Sequence, residues 1–363
     1  PAPLVNLLAV PAFALMTPLL LAAMLLAALW PAAGAPLLGW SADALGWLRL
    51  GLEHAADWPQ AWIAWSPAWP ALLLALLGAV LLFAPRGLPL RLVGLLCFLP
   101  LAFAPRQAPD AGFELAALDV GQGLAVVVRT ANHALLYDAG PAFEEGFDAG
   151  DSVVVPYLLS RGVGRLDRLL LSHGDNDHAG GIPAVQARLR IAEQFGTPGH
   201  PSCVEGLRWH WDGVDFETLH PPASGEGDDN HRSCVLRIES GGQVALLTGD
   251  IDRAAERRLV EHHADRLRAD LLVSPHHGSR SSSAPEFVAA VRPRVVIHAA
   301  GWRSHFGHPR PEVVARYEAV GAQQYVTGVE GALRVSLPTP AAVPGVEGWR
   351  RRVAAWWNAP PEP

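Results

Sequence analysis

Cysteine is scarce in this sequence: only three of its 363 residues are cysteine. Three cysteines form no disulfide framework, so a small fold stapled by several bridges is excluded. Cys203 and Cys234 could pair with each other, but the context SCVLRI favours Cys234 as a small buried strand residue without a bridge. The cysteines therefore do not identify the cellular compartment.

Charged residues are nearly absent from residues 1–105, which contain three arginines and three acidic residues. The rest of the chain carries the whole net charge of −7. Because an excess of positive charge is lacking, the polar part is not an obvious polyanion-binding protein. If it handles nucleic acid, bound divalent cations and local arginine clusters must supply the attraction. A chain of this length predicts about two folding units.

Long apolar runs fill the N-terminal part. Leu4 to Trp30 is a run of 27 residues without a charge, long enough to cross a bilayer even with prolines inside it. It lacks a basic start, so it does not resemble a signal peptide. Leu37 to Leu52 carries Asp43 and Arg49, which indicates an interfacial or re-entrant helix rather than a span.

Two further apolar runs, Trp69 to Phe83 and Leu88 to Phe103, are each slightly short for a full crossing. They predict two more membrane segments, and the alternative is one buried hairpin of a soluble core. Arg86 and Arg91 lie in and beside the junction of the runs, and the positive-inside rule places this loop in the cytoplasm. The part after residue 105 is then extracytoplasmic, although Arg106 argues weakly the other way.

Short strands and helices alternate after Phe113, a pattern typical of two sheets flanked by helices. A helix that starts near Asp151 leads into the strand at Arg168, and no element is predicted between residues 191 and 211. The other predicted strands are Ser233–Glu239, Gln243–Thr248, Leu271–Ser274 and Arg294–Ala299, and the other predicted helices are Ile182–Arg190, Arg253–His263 and Pro311–Val320. The tail, residues 338–363, is expected to hold an ordinary packed helix rather than a membrane-binding or DNA-binding segment.

The most informative stretch is Arg168–Gly181, with the sequence RLLLSHGDNDHAGG. An apolar strand runs into a glycine-rich loop that contains two histidines and two aspartates, His173, Asp175, Asp177 and His178. Imidazoles and carboxylates packed this closely repel or desolvate each other unless a cation neutralises them. The stretch therefore predicts a metal site, and a polar surface loop is the alternative.

The spacing resembles the His-x-His-x-Asp-His signature of the metallo-β-lactamase superfamily, with Asp175 where the second histidine usually stands. A carboxylate is a harder ligand than imidazole, so this site shifts preference from zinc toward manganese or magnesium. The resemblance implies that Asp250, which follows an apolar strand in LLTGDI, bridges the metals, and that His308 in FGHPRPE is the last ligand. His305 competes with His308 for this role. One or two divalent cations are expected, and Mn²⁺ is favoured over Zn²⁺ or Mg²⁺.

Two adjacent histidines, His276 and His277, occur in the motif PHHGS. From an extended backbone only one of them can easily point into a given site. Phosphodiester cleavage leaves an alkoxide that needs a proton, so we expect His277 to donate it or to act as a further ligand, with His276 in support. Phosphate oxygens are expected to contact nearby serine and arginine side chains, namely Ser279, Arg280, Ser281, Arg303 and Arg310.

The middle of the superfamily pattern normally supplies one more histidine ligand, where this sequence has DDNHRSCVL. Either Asn230 completes the site weakly or His231 substitutes for the missing ligand. Asp177 is expected to bind a metal and to orient the nucleophilic water. We call the glycine-rich loop with His173, Asp175, Asp177 and His178 the metal loop. Asp138, which follows a strand in LLYDAG, is expected to hold this loop in place without binding the metal itself.

Seven motifs occur in order between residues 113 and 335: LDVGQG, LLYDAG, HGDNDHAGG, NHRSCVLRI, LLTGDI, PHHGS and GHP. Together they resemble the ComEC family, the DNA-import channels of natural competence. The resemblance implies an α/β fold, a metallo-β-lactamase-like αββα sandwich preceded by transmembrane helices. Residues 1–105 then correspond to the last membrane segments of a DNA-translocation channel, residues 106–337 to the hydrolase domain, and residues 338–363 to a Pro-rich tail.

The same resemblance implies a multi-pass protein of the bacterial inner membrane with an extracytoplasmic hydrolase domain. This domain would degrade one strand of incoming DNA while the other strand crosses. The implied partners are DNA, the membrane, the rest of the channel protein and an extracytoplasmic DNA receptor. Two alternatives stay open: a hydrolase of another ester, lactone or small phosphodiester, and a non-catalytic module that guides DNA to the channel. Because the chain begins at Pro1 rather than Met, a longer protein is expected.

Overall fold

The computed structural model describes residues 2–56, 69–83, 90–102, 108–109, 111–144, 146–224, 227–337 and 344–353. Contacts divide the chain into two units, Pro1–Trp65 and Ser66–Pro363. The domain boundaries predicted at residues 105 and 337 both fall inside the second unit, and they stay predictions.

Two helices form the described part of the first unit, α1 (Ala2–Leu29) and α2 (Pro31–Ala56). They pack closely, since a methyl group on Gly34 would lie 2.2 Å from the Cα atom of Ala27. By length and composition, Val5–Leu29 is the one helix among the described residues that could cross a membrane. This agrees with the run predicted from Leu4 to Trp30, and the interfacial placement predicted for residues 37–52 of α2 stays a prediction.

The second unit begins with two short apolar helices, α3 (Trp69–Leu82) and α4 (Leu90–Leu96), and a 3₁₀ turn at Leu99–Ala102. Glycines let α3 and α4 approach each other, because a methyl group on Gly78 would lie 2.5 Å from the carbonyl oxygen of Gly94. Both helices are shorter than a straight bilayer crossing requires. The two further membrane segments therefore stay predictions.

The rest of the second unit is a sandwich of two sheets. In the part that the structure describes, the strands are β1 (Phe113–Ala117), β2 (Val126–Arg129), β3 (Ala134–Tyr137), β4 (Arg165–Leu170), β5 (Arg190–Phe195), β6 (Arg208–Trp211), β7 (Val214–His220), β8 (Val235–Ser240), β9 (Gln243–Leu247), β10 (Leu271–Val273), β11 (Val295–His298), β12 (Gln323–Val326), β13 (Leu333–Leu337) and β14 (Gly345–Gly348). The helices here are α5 (Val155–Ser160), α6 (Asn176–Ala179), α7 (Ile182–Arg188), α8 (Arg253–Leu267), α9 (Pro285–Val291), α10 (Pro311–Ala319), α11 (Thr327–Glu330) and α12 (Trp349–Arg352).

Each sheet mixes parallel and antiparallel pairs. The first sheet has the order β14-β13-β1-β2-β3-β4-β5, and the second has the order β12-β11-β10-β9-β8-β7-β6. Strands β3 to β5 are parallel in the first sheet, and β9 to β12 are parallel in the second. The carboxyl ends of parallel strands meet at one edge, where ligand sites of open α/β sheets usually lie.

Apolar side chains fill three layers between these elements. Leu115 and Tyr137 from the first sheet meet Phe216 and Leu247 from the second in a buried core. Helices α5 and α7 pack on the outer face of the first sheet, and α8, α9 and α10 pack on the outer face of the second. This arrangement confirms the predicted αββα sandwich.

The directions of the strands define two edges of the sandwich. Strands β3, β4, β9 and β10 end at what we call the carboxyl edge. The chain enters β1 at the opposite edge, which we call the entry edge and which also holds the β2–β3, β6–β7 and β8–β9 turns. The two sheets are joined there, because Asp212 of the β6–β7 turn accepts hydrogen bonds from Thr130 Oγ1 (2.6 Å) and the Asn132 backbone (2.8 Å) of the β2–β3 turn.

Several predicted elements differ in detail from the structure. The helix predicted to start near Asp151 begins as a π-helical turn at Gly150–Val154, without a side-chain cap, and continues as α5. The helix predicted to end at Arg190 ends at Arg188, because strand β5 begins there at the edge of the sheet. In the tail, β14 joins the first sheet and α12 follows it, whereas residues 354–363 lie outside the described residues.

The interpretation of Cys234 as an unbridged strand residue was wrong. Cys203 and Cys234 form a disulfide across a sequence separation of 31 residues. The loop that carries Cys203 folds back over the end of β7, where the backbone N–H of Glu205 donates to the carbonyl of Pro221 at 2.7 Å. Sequence separation alone does not reveal this return of the chain.

Candidate metal centre

The loop after β4 is held in place by Asp138, which follows β3 on the neighbouring strand. Asp138 Oδ1 accepts from the backbone N–H of Ser172 (2.6 Å), and Oδ2 accepts from the Ser172 hydroxyl (2.7 Å). Oδ2 also lies 2.8 Å from Nδ1 of His178. Asp138 and His178 are both fully buried. The orientation of the His178 ring is therefore fixed from behind, and its Nε2 points toward the second sheet.

Four side chains from both sheets converge at the carboxyl edge. The potential ligand atoms of Asp177, His178, Asp250 and His277 all lie within 4.8 Å of one another. Asp250 follows β9, and its two carboxylate oxygens lie 3.1 Å from Nε2 of His178 and 3.4 Å from Nε2 of His277. The same His277 atom is 3.2 Å from Asp177 Oδ2. Two carboxylates and two imidazoles with this spacing match the ligand types of a divalent cation.

The electrostatics of the cluster agree with such a site. Burial alone would raise the pKa of Asp250, but the positive charges of His277 and His178 hold it well below its usual range. Burial likewise opposes protonation of His277, yet the Asp250 carboxylate raises its pKa to about 9. The carboxylates thus favour positive charge beside them, which a divalent cation can supply.

The surrounding side chains offer further unused ligand atoms. His173 is buried beside His178, with ring centroids 4.1 Å apart, and its Nε2 has no hydrogen-bond partner. Nε2 lies 3.4 Å from Oδ2 of Asp175, which is half exposed at the start of α6. A buried imidazole nitrogen without a partner costs free energy unless a metal or a water molecule binds to it. The residues present therefore fit one or two divalent cations.

Both histidines of the PHHGS motif reach the centre. His276 and His277 have positive φ angles of 48° and 55°, so the backbone is not extended as the prediction of a single inward side chain assumed. As a result, the Nε2 atoms of His276 and His277 lie 3.6 and 3.4 Å from the same Asp250 oxygen. His277 is buried among the ligand atoms, whereas His276 is partly exposed at the mouth.

His308 lies beside this group, outside the most compact cluster. Its ring centroid is 6.2 Å from that of His276 and 6.5 Å from that of His277. Burial lowers the pKa of His308 to about 4, so it is neutral and able to bind a metal. Its rival His305 instead packs on Phe306, with ring centroids 3.8 Å apart.

Gln122 is a site residue that the sequence reasoning missed. It lies on the turn after β1, and its side-chain nitrogen is 3.5 Å from Nδ1 of His308. The hydroxyl of Ser304 donates to its amide oxygen at 2.8 Å. Gln122 therefore orients the His308 ring. The signal was available in the motif LDVGQG, where a polar residue stands between two glycines at the end of a buried strand.

Comparison with known proteins identifies the fold family. The sequence profile of the metallo-beta-lactamase superfamily matches residues 118–302, which is half of the chain. The chain belongs to this superfamily. A solved superfamily structure, the metallo-beta-lactamase fold protein YhfI from Bacillus subtilis, aligns over 59% of this chain and 96% of its own, with 14% identity and a TM-score of 0.40.

Curated relatives match a larger part of the chain. It is 38% identical to competence protein ComA of Neisseria gonorrhoeae over 99% of this chain and 51% of that protein. It is 35% identical to the uncharacterized protein YcaI of Escherichia coli over 95% of this chain and 45% of that protein. The chain thus spans about half the length of the curated relatives it matches. The match to competence protein ComA confirms the predicted resemblance to the competence proteins.

The two alternatives for the middle ligand of the superfamily, Asn230 and His231, both stay predictions. Nδ1 of His231 lies 3.0 Å from Asp252, the residue that caps α8, and its ring is turned to that carboxylate. The side-chain oxygen of Asn230 is buried and has no hydrogen-bond partner.

The predicted phosphate contacts lie in different surroundings. Ser281 is closest to the centre, since its hydroxyl is 3.2 Å from Nδ1 of His276 and 3.0 Å from the Ser279 hydroxyl. Arg280 forms an ion pair with Glu312 at 2.9 Å, which turns its guanidinium toward α10. Arg303 stacks over Trp302. The backbone N–H of Arg310 donates to the carbonyl of Gly278 at 3.0 Å, beside the two histidines.

Proposed function

We propose that this protein is a metal-dependent phosphodiesterase that degrades one strand of incoming DNA during uptake across the inner membrane in natural transformation. The observation that carries the proposal is the cluster of Asp177, His178, Asp250 and His277 at the carboxyl edge of a metallo-β-lactamase fold. The likeness to competence protein ComA supports DNA as the substrate.

Manganese is the metal we propose, at one or two positions. The ligands would be histidines and carboxylates from both sheets: His173, Asp175, Asp177, His178, Asp250, His277 and His308. Oxygen atoms contribute a large share of this set, which favours Mn²⁺ over Zn²⁺. When bound, such ions supply Lewis-acid polarisation of the phosphodiester and a nucleophilic water at neutral pH.

The protein side chains then divide the remaining work. Asp177 is partly exposed and can accept a hydrogen bond from the attacking water, which orients it. His276 lies at the mouth with its Nδ1 beside Ser281, so its Nε2 can donate a proton to the leaving alkoxide. His277 is too buried for that role and acts as a ligand. Ser279, Ser281 and Arg310 are placed to bind phosphate oxygens.

The proposed setting is the bacterial inner membrane, with several spans in residues 1–105 and the hydrolase domain, residues 106–337, outside the cytoplasm. The 25-residue apolar helix Val5–Leu29 supports membrane attachment. The disulfide between Cys203 and Cys234 supports an oxidising compartment for the domain. The proposed partners are the incoming single strand, the rest of the channel protein and an extracytoplasmic DNA receptor.

The proposal is tested by assaying the full chain in nanodiscs against several substrates with Mn²⁺. We expect cleavage of labelled single-stranded DNA, at least a hundredfold loss in Asp177→Ala, and no loss in the control Asp215→Ala at an exposed site away from the cluster. Cleavage of a small phosphodiester or a lactone but not of DNA would show a different hydrolase. The departure from the superfamily pattern at DDNHRSCVL favours a second candidate, a non-catalytic DNA guide, which would bind DNA and cleave nothing.

A further inference from the structure

Arginine side chains gather at the entry edge, opposite the metal centre. A cavity of about 380 Å³ lies where β11 and β12 begin, and its lining includes Arg268, Arg292 and Arg294 but no acidic residue. Arg268 and Arg292 are exposed and form no ion pair with a described residue. The chain contains no lysine, so each of its basic side chains is an arginine, which binds phosphate oxygens through two parallel N–H groups.

A second basic cavity lies at the same edge of the first sheet. Its volume is about 270 Å³, and its lining includes Arg129, Arg161, Arg165 and Asp167 together with Ala108, which belongs to the segment that leads into β1. Arg129 is buried in an ion pair with Glu114 at 2.7 Å, so the exposed arginine of this cavity is Arg165. Arg165 begins β4 and is exposed. The two cavities thus place arginines at the entry edge of both sheets.

Three acidic residues near this edge, Asp167, Asp212 and Asp270, form local contacts, and Asp167 accepts a hydrogen bond from the backbone N–H of Ala134 at 2.9 Å. Asp212 accepts from Thr130, Asn132 and His133, and these hydrogen bonds lower its pKa although partial burial opposes ionisation. Asp270 accepts from the backbone N–H of Val244 and pairs with Arg294 at 3.6 Å. The positive surface therefore rests on the exposed arginines Arg165, Arg268 and Arg292, which form no ion pair with a described residue, on a domain whose net charge is negative.

The short connection between the apolar segments and the entry edge indicates what this edge binds. Ten residues separate the apolar turn Leu99–Ala102 from the start of β1 at Phe113, so an extended connection reaches at most about 40 Å. The arginines therefore lie on the side of the domain that is tethered to the apolar segments. A DNA strand bound for cleavage would instead occupy the carboxyl edge, where Asp177 and His277 lie.

We propose that the entry edge binds the headgroups of anionic phospholipids, so that the domain rests on the membrane with its metal centre facing away. Arginines within a Debye length of an anionic bilayer surface are attracted to it, and several together act additively. This contact would hold the mouth of the centre open to DNA arriving from outside. It does not require the proposed nuclease activity, but it rests on the proposed attachment of the apolar segments to the membrane.

Hydrogen–deuterium exchange of the full chain in nanodiscs tests the proposal. Nanodiscs of phosphatidylcholine alone are compared with nanodiscs that also contain phosphatidylglycerol. With the anionic lipid we expect about tenfold slower exchange at residues 240–243, 292–294 and 321–323 of the entry edge. Residues 173–178 and 275–279 of the carboxyl edge should not change. The double variant Arg268→Gln/Arg292→Gln should lose the protection.

A control variant and a competing ligand distinguish binding of anionic lipid from binding of nucleic acid and from non-specific effects. Arg253→Gln/Arg257→Gln removes two exposed arginines of α8 and should keep the protection. Equal protection in both lipids, or none in either, overturns recognition of anionic headgroups. Protection of the entry edge by a single-stranded oligonucleotide in phosphatidylcholine alone would make the edge a nucleic-acid surface and also overturn the proposal. DNA cleavage is measured separately, so failure of either idea is distinguishable from failure of the other.

Discussion

One buried imidazole joins the two halves of the centre. Nδ1 of His178 contacts Asp138 of the first sheet at 2.8 Å, and Nε2 contacts Asp250 of the second sheet at 3.1 Å. Although burial alone would lower it, the two carboxylates raise the pKa of His178 well above its usual range. A metal at Nε2 would replace that proton, so metal binding and proton release are coupled at this residue.

His298 predicts a pH dependence of stability near the PHHGS loop. It is buried, with Nδ1 2.8 Å from the Ser274 hydroxyl and Nε2 3.0 Å from the side-chain oxygen of Gln324. Burial lowers its pKa from 6.5 to about 4 against the opposing effect of the Gln324 hydrogen bond. Between pH 6.5 and 4 the unfolded chain binds this proton and the folded chain does not. The contribution of neutral, buried His298 to the free energy of unfolding is therefore fully present above pH 6.5 and is lost as the pH falls toward 4.

As the pH falls from 6.5 to 4, the free energy of unfolding should decrease in both proteins. We expect this decrease to be about 3 kcal/mol smaller in His298→Asn than in the parent. Urea unfolding of the full chain at pH 7, 5.5 and 4.5 measures this difference. His262→Gln, at an exposed position of α8, is the control and should lose as much as the parent. An identical pH profile for His298→Asn and the parent would contradict the assignment.

At the scale of elements, the centre is built from loops that follow strand ends and touch each other closely. Gly123, after β1, shows this contact: its φ angle is +142°, and a methyl group there would lie 2.4 Å from the carbonyl oxygen of Asp177. The same carbonyl accepts from the backbone N–H of Leu124 at 3.0 Å. The turn after β1 thus fixes the position of the metal loop relative to the sheet.

Gly123→Ala should displace the metal loop. We expect an affinity for Mn²⁺ that is 10- to 100-fold weaker, as for losses of supporting contacts around a metal, and a destabilisation of about 2 kcal/mol or more. Gly121→Ala is the matched control, because its φ angle is +79° but a methyl group meets no atom within 4 Å. Calorimetric titration with Mn²⁺ compares the two variants. Equal affinities would contradict the proposed link between the turn and the loop.

The disulfide joins the loop before β6 to the start of β8, directly below the metal loop. The backbone N–H of Cys234 donates to the carbonyl of Ser172 at 2.9 Å, so the bridge also braces the residue before His173. Cys203→Ser/Cys234→Ser should lower the free energy of unfolding by about 3 kcal/mol. Thermal unfolding with and without reductant measures this effect, and Cys97→Ser is the control. A parent protein that is insensitive to reductant would show that the bridge does not form.

Some of these elements could be predicted from the sequence, and others could not. The metal loop was predictable because a buried strand, glycines and four ligand residues all occur within 14 residues. Strand β5 was not predicted, since RIAEQF lacks regular alternation and lies at a sheet edge with mixed exposure. The paired inward histidines depend on two positive φ angles that non-glycine residues rarely adopt. The disulfide depends on a chain return that no local pattern encodes.

For the whole molecule, the two edges of the sandwich carry different kinds of side chain. Acidic residues and histidines gather at the carboxyl edge, where the parallel strands of both sheets end. Arginines gather at the entry edge, where the chain arrives from the apolar segments. A domain with net negative charge can therefore approach an anionic surface on one side and bind cations on the other. The sequence predicted the first edge from its motifs, but the arginines of the second come together only through the fold.

The metal content of the full chain tests the central claim most directly. After equilibration with Mn²⁺ and removal of free metal, inductively coupled plasma mass spectrometry gives the ions bound per chain. We predict one or two equivalents for the parent and for the control Asp215→Asn, and less than one tenth of this for Asp177→Ala/Asp250→Asn. A folded parent that retains no metal, or a double variant that retains as much as the parent, would contradict the account.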